Sequence, residues 1–400
     1  MSNVFLQNSF LKGDVTAPPS KSAAHRALIC SFLAGGGTVN PIIPSKDMQA
    51  TVGVINALKE NSSTLNCIES GSTMRFMIPV AAALGRNVTF VGQGSLLSRT
   101  AGEYLTLLPK HNVNIEGNGY LPLTISGQLK NGSFEVAGDV SSQYITGLLL
   151  ALACLEGDSA VVLTTPMQSK PYVDMTVKIM GDYGVKVRET DFGYLVHGGQ
   201  QFKKLDYTVE GDWSQAAFFL AAGAINGDVC VTGLDMSSAQ GDKAIVDVLK
   251  AFGADVRCNE NSVTVKKSKM HGAAVNAENI PDLVPIIAVT AAFAQGDTVI
   301  SGAERLRYKE SDRIESVVSN LRALGAEVTE TEDGMIIHGG KQLKGARLKG
   351  FNDHRILMAF SVAALAVDGN IEIDDAQSIN KSYPSYFEDY NMLGGKANVI

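Results

Sequence analysis

Several short clusters in this chain combine residue types that hold phosphate and move protons. Pro18-Pro19-Ser20-Lys21-Ser22-Ala-Ala-His25-Arg26 opens an apolar segment. Ser20 or Ser22 can cap a helix there, and its free N–H groups with Lys21 and Arg26 would make an anion site. Glu69-Ser70-Gly71-Ser72-Thr73-Met74-Arg75 sets hydroxyls and a glycine before another apolar segment, so that backbone can approach a ligand closely. Ser141-Ser142-Gln143-Tyr144 supplies hydroxyl and amide donors suited to phosphate or sugar oxygens. Tyr308-Lys309-Glu310-Ser311-Asp312-Arg313 puts Lys309 and Arg313 on one helix face, with Glu310 pointing about 100° away. Asn352-Asp353-His354-Arg355 and Asp282 each precede a further apolar segment, where unpaired charge is costly, and Lys381 lies in Ile-Asn-Lys-Ser-Tyr-Pro. Taken singly, each cluster also reads as a capped helix or a salt-bridged surface turn. Taken together, the cations Lys21, Arg26, Arg99, Lys309, Arg313, Arg355 and Lys381 enclose two carboxylates, Asp282 and Glu310, which suits anionic substrates and acid–base work.

The segments that must position these residues recur. ALICSFLAGGGTVNPII, IPVAAALGRNVTFV, LLLALACLEGDSAVVL, AFFLAAGAINGDVCVTG, AVTAAFAQGDTVISG and AFSVAALAVDGNIEI each run from an Ala-rich helix through a glycine into a β-branched stretch. Counted between their glycines, the steps are 49, 72, 70, 69 and 73 residues. A second helix follows in the period, as in VLKAFGADV and LRALGAEV, where Gly253 and Gly325 occupy left-handed C-cap positions. The first helix of each unit is apolar nearly all round, which predicts burial on every side with sheets outside it. Six units predict two α/β domains of three, crossing near VEGDW at 209–213. Ordinary α-to-β connections are the competing reading of the repeat.

Composition narrows the class. A net charge of −7 over 400 residues argues against nucleic acid as a partner of the whole molecule, and 45% hydrophobic residues argue against disorder. The five cysteines form no C-x-x-C pair, which predicts buried thiols in a reduced compartment. The N-terminus lacks a basic and apolar leader, and the longest apolar stretch, Leu283–Ala294, is too short for a membrane span. A soluble cytoplasmic protein with no membrane partner is expected.

Eight motifs in order, PPSKSAAHRAL, ESGSTMRF, VSSQYITGLLLAL, SKPYVDMT, IPDLVP, YKESDRIES, NDHRILM and NKSYPSYF, make the whole chain resemble the 5-enolpyruvylshikimate-3-phosphate (EPSP) synthase family. The resemblance implies two inside-out α/β domains, each of three βαβαββ units, closing like a clamp on an interdomain cleft. It puts residues 15 to 210 in the N-terminal domain, and residues 1 to 14 with 211 to 400 in the C-terminal one. It also implies transfer of the enolpyruvyl group of phosphoenolpyruvate to the 5-hydroxyl of shikimate 3-phosphate, in aromatic amino acid biosynthesis, with no metal or organic cofactor, by a monomer inhibited by glyphosate.

Carried over by motif, Lys21, Ser22, Arg26, Ser141, Ser142, Gln143, Ser169 and Tyr172 would bind shikimate 3-phosphate, with Asp282 and Lys309. Lys21, Gly71, Arg99, Gln143, Arg313, Arg355 and Lys381 would serve phosphoenolpyruvate. Asp282 would accept the 5-hydroxyl proton, Glu310 would protonate the methylene carbon, and Lys21 and Lys309 would assist. Thr100, Phe76 and Arg305 depart from residues common in the family. The homologous UDP-N-acetylglucosamine enolpyruvyl transferases carry a loop cysteine that Gly92–Arg99 lacks. A non-catalytic sugar-phosphate clamp would have no use for Asp282 and Glu310.

Overall fold

The computed structural model describes residues 2–400. Five four-stranded sheets repeat one pattern. In the first, Leu11–Thr16 lies parallel to Gly227–Thr232, which pairs antiparallel with Ser262–Lys266, which pairs antiparallel with Asp255–Cys258. A helix between the two parallel strands and a second helix after them complete each βαβαββ unit, and a parallel pair needs such a crossover. The sixth unit keeps only the parallel pair Val39–Asn40 and Tyr207–Thr208. Pro41 and Pro44 follow Val39–Asn40 at once and cannot donate to a longer ladder.

The chain divides into two compact units, one made of the N-terminal residues through Pro18 with Glu210–Ile400, the other of Pro19–Val209. A boundary at residue 14 would cut the strand Leu11–Thr16, which is paired along its whole length with Gly227–Thr232. The N-terminal strand Val4–Gln7 lies between Asn370–Ile373 and Lys396–Val399, so the two ends of the chain share one sheet.

Each unit is packed around its apolar helices. In the larger unit, Trp213–Asn226, Val284–Ala292 and His354–Ala363 touch one another, and every residue of the last two is buried. In the other, Gly71–Ala83 packs on Ser142–Leu152, with Lys21–Leu33 against Lys170–Asp182. Burial on all faces of Val284–Ala292 and His354–Ala363 leaves no room for charge along them, so polar groups collect at their ends. Gly253 and Gly325 end second helices with φ of +82° and +88°, as the left-handed caps require. Among the described residues no helix is long and apolar enough to cross a membrane.

Candidate active site

Serine caps open four helices of the Pro19–Val209 unit. Ser20, Ser45, Ser70 and Ser141 each accept a backbone N–H of the first turn, which satisfies one of the N–H groups that have no partner within the helix. Lys21 stands at one such start, paired at 2.8 Å with Asp47. Gly71 begins another. A Cβ on Gly71 would fall 2.7 Å from Cζ of Arg99 and 2.8 Å from both terminal nitrogens, so the guanidinium rests against bare backbone. Gln143 donates to Ser72 Oγ at 2.9 Å and accepts from Arg75 at 2.7 Å. These contacts bring Gly71, Ser72, Arg99, Ser141, Ser142 and Gln143 to one end of the unit.

Arg26 is only 3% exposed. It donates to Ser22 O at 2.7 Å, Thr176 Oγ1 at 2.8 Å and Tyr172 O at 2.9 Å, with its guanidinium 5.1 Å above the Phe76 ring. It therefore holds the backbone that presents Ser22 and Tyr172. Ser169, just before Tyr172, is buried with a left-handed φ of +54°. Arg75 was missed by sequence reasoning as anything beyond a motif letter. It donates to Thr100 O at 2.7 Å as well as to Gln143, and so ties the Arg99–Thr100 segment to the amide. Its place one turn inside a Ser-capped helix was the available signal.

Aspartate caps open three helices of the other unit, Trp213–Asn226, Arg313–Ala323 and His354–Ala363: Asp212, Asp312 and Asp353. Asp353, 0% exposed, caps His354–Ala363 through Arg355 N at 2.9 Å and also accepts from Arg313 Nε at 2.8 Å. Arg313, 1% exposed, further donates to Asp282 Oδ1 at 2.9 Å and Glu310 Oε2 at 2.7 Å. Arg355 reaches Asp282 Oδ2 at 2.8 Å and Ser214 Oγ at 3.0 Å. Lys381 donates to Asn352 O at 2.7 Å, and Arg305 to Glu278 O at 3.1 Å. One buried arginine thus holds three carboxylates, and Asp353 is the member that sequence reasoning did not single out.

The field of this cluster is set by burial and charge together. Burial alone would raise the Asp282 carboxyl, but Arg355, Lys309 and Arg313 overcome it and hold the group far below the carboxylate range. Burial would lower Arg313, and Asp353, Glu310 and Asp282 push it the other way, above its ordinary value. Burial pushes Lys309 down to about 8, against the pull of Asp282. Such a cluster can keep one carboxylate ionised while offering a lysine that titrates near neutrality.

A sequence model of the family described as EPSP synthase (3-phosphoshikimate 1-carboxyvinyltransferase) matches residues 6–66 and 58–390. The chain belongs to the EPSP synthase family. It is 41% identical to the 3-phosphoshikimate 1-carboxyvinyltransferase of Clostridium kluyveri over 99% of this chain and 98% of that one. It is 42% identical to the enzyme of the same name from Clostridium acetobutylicum, again over 99% and 98%. The EPSP synthase of Acinetobacter baumannii superposes with a TM-score of 0.85 at 26% identity, covering all of both chains. The enzyme is thus a shikimate-pathway transferase that moves the enolpyruvyl group of phosphoenolpyruvate onto the 5-hydroxyl of shikimate 3-phosphate and releases phosphate.

Proposed function

We propose that the two polar clusters divide this reaction between them. Asp282 takes the proton of the 5-hydroxyl as its oxygen bonds to C2 of phosphoenolpyruvate, and Glu310 gives a proton to C3. The adduct then breaks its C2–O bond to phosphate and loses a proton from C3, which restores the double bond. The observation that carries this reading is the pinning of Asp282 and Glu310 on one buried arginine, Arg313. Both Asp282 oxygens accept from guanidinium groups, so Asp282 as it stands is a weak base. An anionic substrate that drew Arg313 and Arg355 toward itself would restore the basicity of Asp282 where it is needed.

Lys21, Arg99 and Gln143 in one unit, and Arg313, Arg355 and Lys381 in the other, are assigned to phosphoenolpyruvate. Ser22, Ser141, Ser142, Gln143, Ser169, Tyr172 and Lys21 are assigned to shikimate 3-phosphate, with Arg26 acting through the backbone it holds and Asp282 and Lys309 joining them. Lys21 also assists the transfer. Glyphosate, which resembles phosphoenolpyruvate in size and charge, competes for the same groups.

Two tests follow from the geometry. Gly71→Ala forces the Arg99 guanidinium off its seat, because the new methyl would stand 2.7 Å from Cζ. The KM for phosphoenolpyruvate and the competitive inhibition constant of glyphosate are expected to rise together, by about tenfold or more. Unchanged values in steady-state assays would remove Arg99 from the phosphoenolpyruvate site. The second test uses pH. Lys309, with its pKa pushed down to about 8, is a cation below that pH and neutral above it. The KM for shikimate 3-phosphate should therefore climb above pH 8, roughly tenfold per unit. Lys309→Arg keeps its charge and should flatten that limb; the same limb in both proteins would exclude Lys309 as its source.

A further inference from the structure

A buried hydrogen-bond chain in the Pro19–Val209 unit crosses three helices and has a direction. Its members are His25, Thr51, Thr73 and Ser70, with exposures of 2%, 0%, 0% and 1%. Ser70 Oγ, the cap of Gly71–Ala83, accepts from Thr73 Oγ1 at 2.8 Å. The Thr73 proton is thereby used, so in the 2.7 Å contact between Thr51 and Thr73 the donor must be Thr51. Thr51 also lies 3.4 Å from Asp47 O, but the shorter contact takes its proton. The 2.7 Å contact between Thr51 Oγ1 and His25 Nδ1 then needs its proton from the histidine. His25 is consequently the Nδ1–H tautomer, with Nε2 a bare acceptor that has no hydrogen-bond partner. Burial, and then Lys21 and Arg26, hold His25 well below its ordinary pKa, in keeping with a neutral ring.

The chain runs one turn beneath the residues assigned to substrate. His25 lies four residues after Lys21 on helix Lys21–Leu33, and Thr51 four residues after Asp47 on helix Lys46–Lys59. Thr73 is the third residue of Gly71–Ala83. The Lys21–Asp47 ion pair at 2.8 Å joins the first two helices at the outer level. The hydroxyl chain carries that register on to the helix start whose Gly71 seats Arg99, alongside the packing of His25 and Arg26 on the Phe76 ring and the 3.9 Å approach of Lys46 to Glu69. The guanidinium rests directly against that backbone, since a Cβ there would lie 2.7 Å from its central carbon. A shift of a few tenths of an ångström in this helix start therefore alters the Arg99 position.

We infer that His25 is a positioning residue for phosphoenolpyruvate binding: as head donor of a one-way chain through Thr51 and Thr73 to Ser70, it sets the register of the helix starts bearing Lys21 and Gly71. This rests on the assignment of Lys21 and Arg99 to phosphoenolpyruvate made above. Hydroxyl chains suit the task because a fully satisfied buried network rigidifies its surroundings, whereas one missing partner strands the others.

The test has a spectroscopic arm and a kinetic arm. In nitrogen-15 histidine spectra of the intact enzyme at pH 7, the signal missing from His25→Asn should be that of an Nδ1–H tautomer. An Nε2–H tautomer would overturn the direction of the chain and with it the proposal. In steady-state assays, His25→Leu and Thr51→Val should each raise the KM for phosphoenolpyruvate about tenfold with kcat within about threefold of the parent. His25→Asn retains an N–H donor near the Nδ1 position and should stay within about threefold in both constants, while adding Thr51→Val should abolish that rescue. Equal KM values for the Leu and Asn variants, or equal falls in kcat and stability without a KM change, would overturn the positioning role. Thr51→Val nearly preserves shape and keeps the test valid should His25→Leu fail to fold. A Lys21→Ala control with unchanged KM would overturn the substrate assignment itself, leaving the tautomer to decide the chain.

Discussion

Arg313→Met is expected to lower the stability of the enzyme by about 3–5 kcal/mol and to abolish turnover, because it strands the buried carboxylate of Asp353 without its main counter-ion. Arg313 is 1% exposed and donates to Asp353, itself 0% exposed, as well as to Asp282 and Glu310. Arg355 retains Asp282 in the variant, but Asp353 loses the two bonds it receives from Arg313 and keeps the uncharged donors Ser311 Oγ and Arg355 N. A loss of this size is a large share of the roughly 5–15 kcal/mol that holds a domain together. The sign of its pH dependence is diagnostic. In the parent, the depressed pKa of Asp282 contributes stability that is present above the unfolded carboxylate value and lost as pH falls. In the variant, carboxylates buried without a cation have raised pKa values, so acid relieves the strain and the gap between the two proteins narrows as pH drops from 7 toward 5. Urea unfolding at several pH values checks this; a gap that widens in acid would show that Arg313 does not serve as their counter-ion. Arg313→Lys, with one charged centre in place of a fork, should recover part of the stability and little of the activity.

Glu310→Gln should slow kcat by roughly 10² to 10⁴-fold with little change in melting temperature. The substituted amide oxygen can still accept from Arg313 Nη2, which Glu310 does now at 2.7 Å, so the cluster stays assembled while its proton donor is gone. The loss should fall on the step that protonates C3 of phosphoenolpyruvate. Exchange of the C3 hydrogens in deuterated water, measured with both substrates present, should drop in proportion to turnover. Exchange at the parental rate would transfer the proton-donor role to another group. Asp282→Ala should reach a similar loss in kcat by a different route, since it also frees Arg313 and Arg355 from a shared partner.

Part of this was legible along the chain. The period of the Ala-rich segments, the glycines that close second helices, and the clustering of polar residues just before apolar runs are local properties. A helix with no polar face must be buried, and a buried helix can carry charge only at its ends. Composition and order alone therefore implied six units with their chemistry at the helix starts, and the eight motifs pointed to the family. Pro41 and Pro44 also bar a longer ladder after Val39–Asn40, although the repeat concealed it.

What the chain could not show was who pairs with whom. The spacing of Lys309 and Arg313 reads as one helix face, yet the helix begins only at Arg313, after the Asp312 cap, with Lys309 in extended backbone, and the partners that fix Arg313 are Asp353, 40 positions away, and Asp282, 31 away. Arg355 finds Asp282 across 73 positions, and Arg26 reads as an anion site until Thr176, 150 positions on, and Tyr172 take its donors. Val4–Gln7 gives no local sign that its neighbours are Asn370–Ile373 and Lys396–Val399. Capping, periodicity and burial act over a few residues and are written in their order. Counter-ion choice, tautomer and strand partner depend on which distant helix starts and strand edges packing brings within about 3 Å, and that distance exists only once the units have folded.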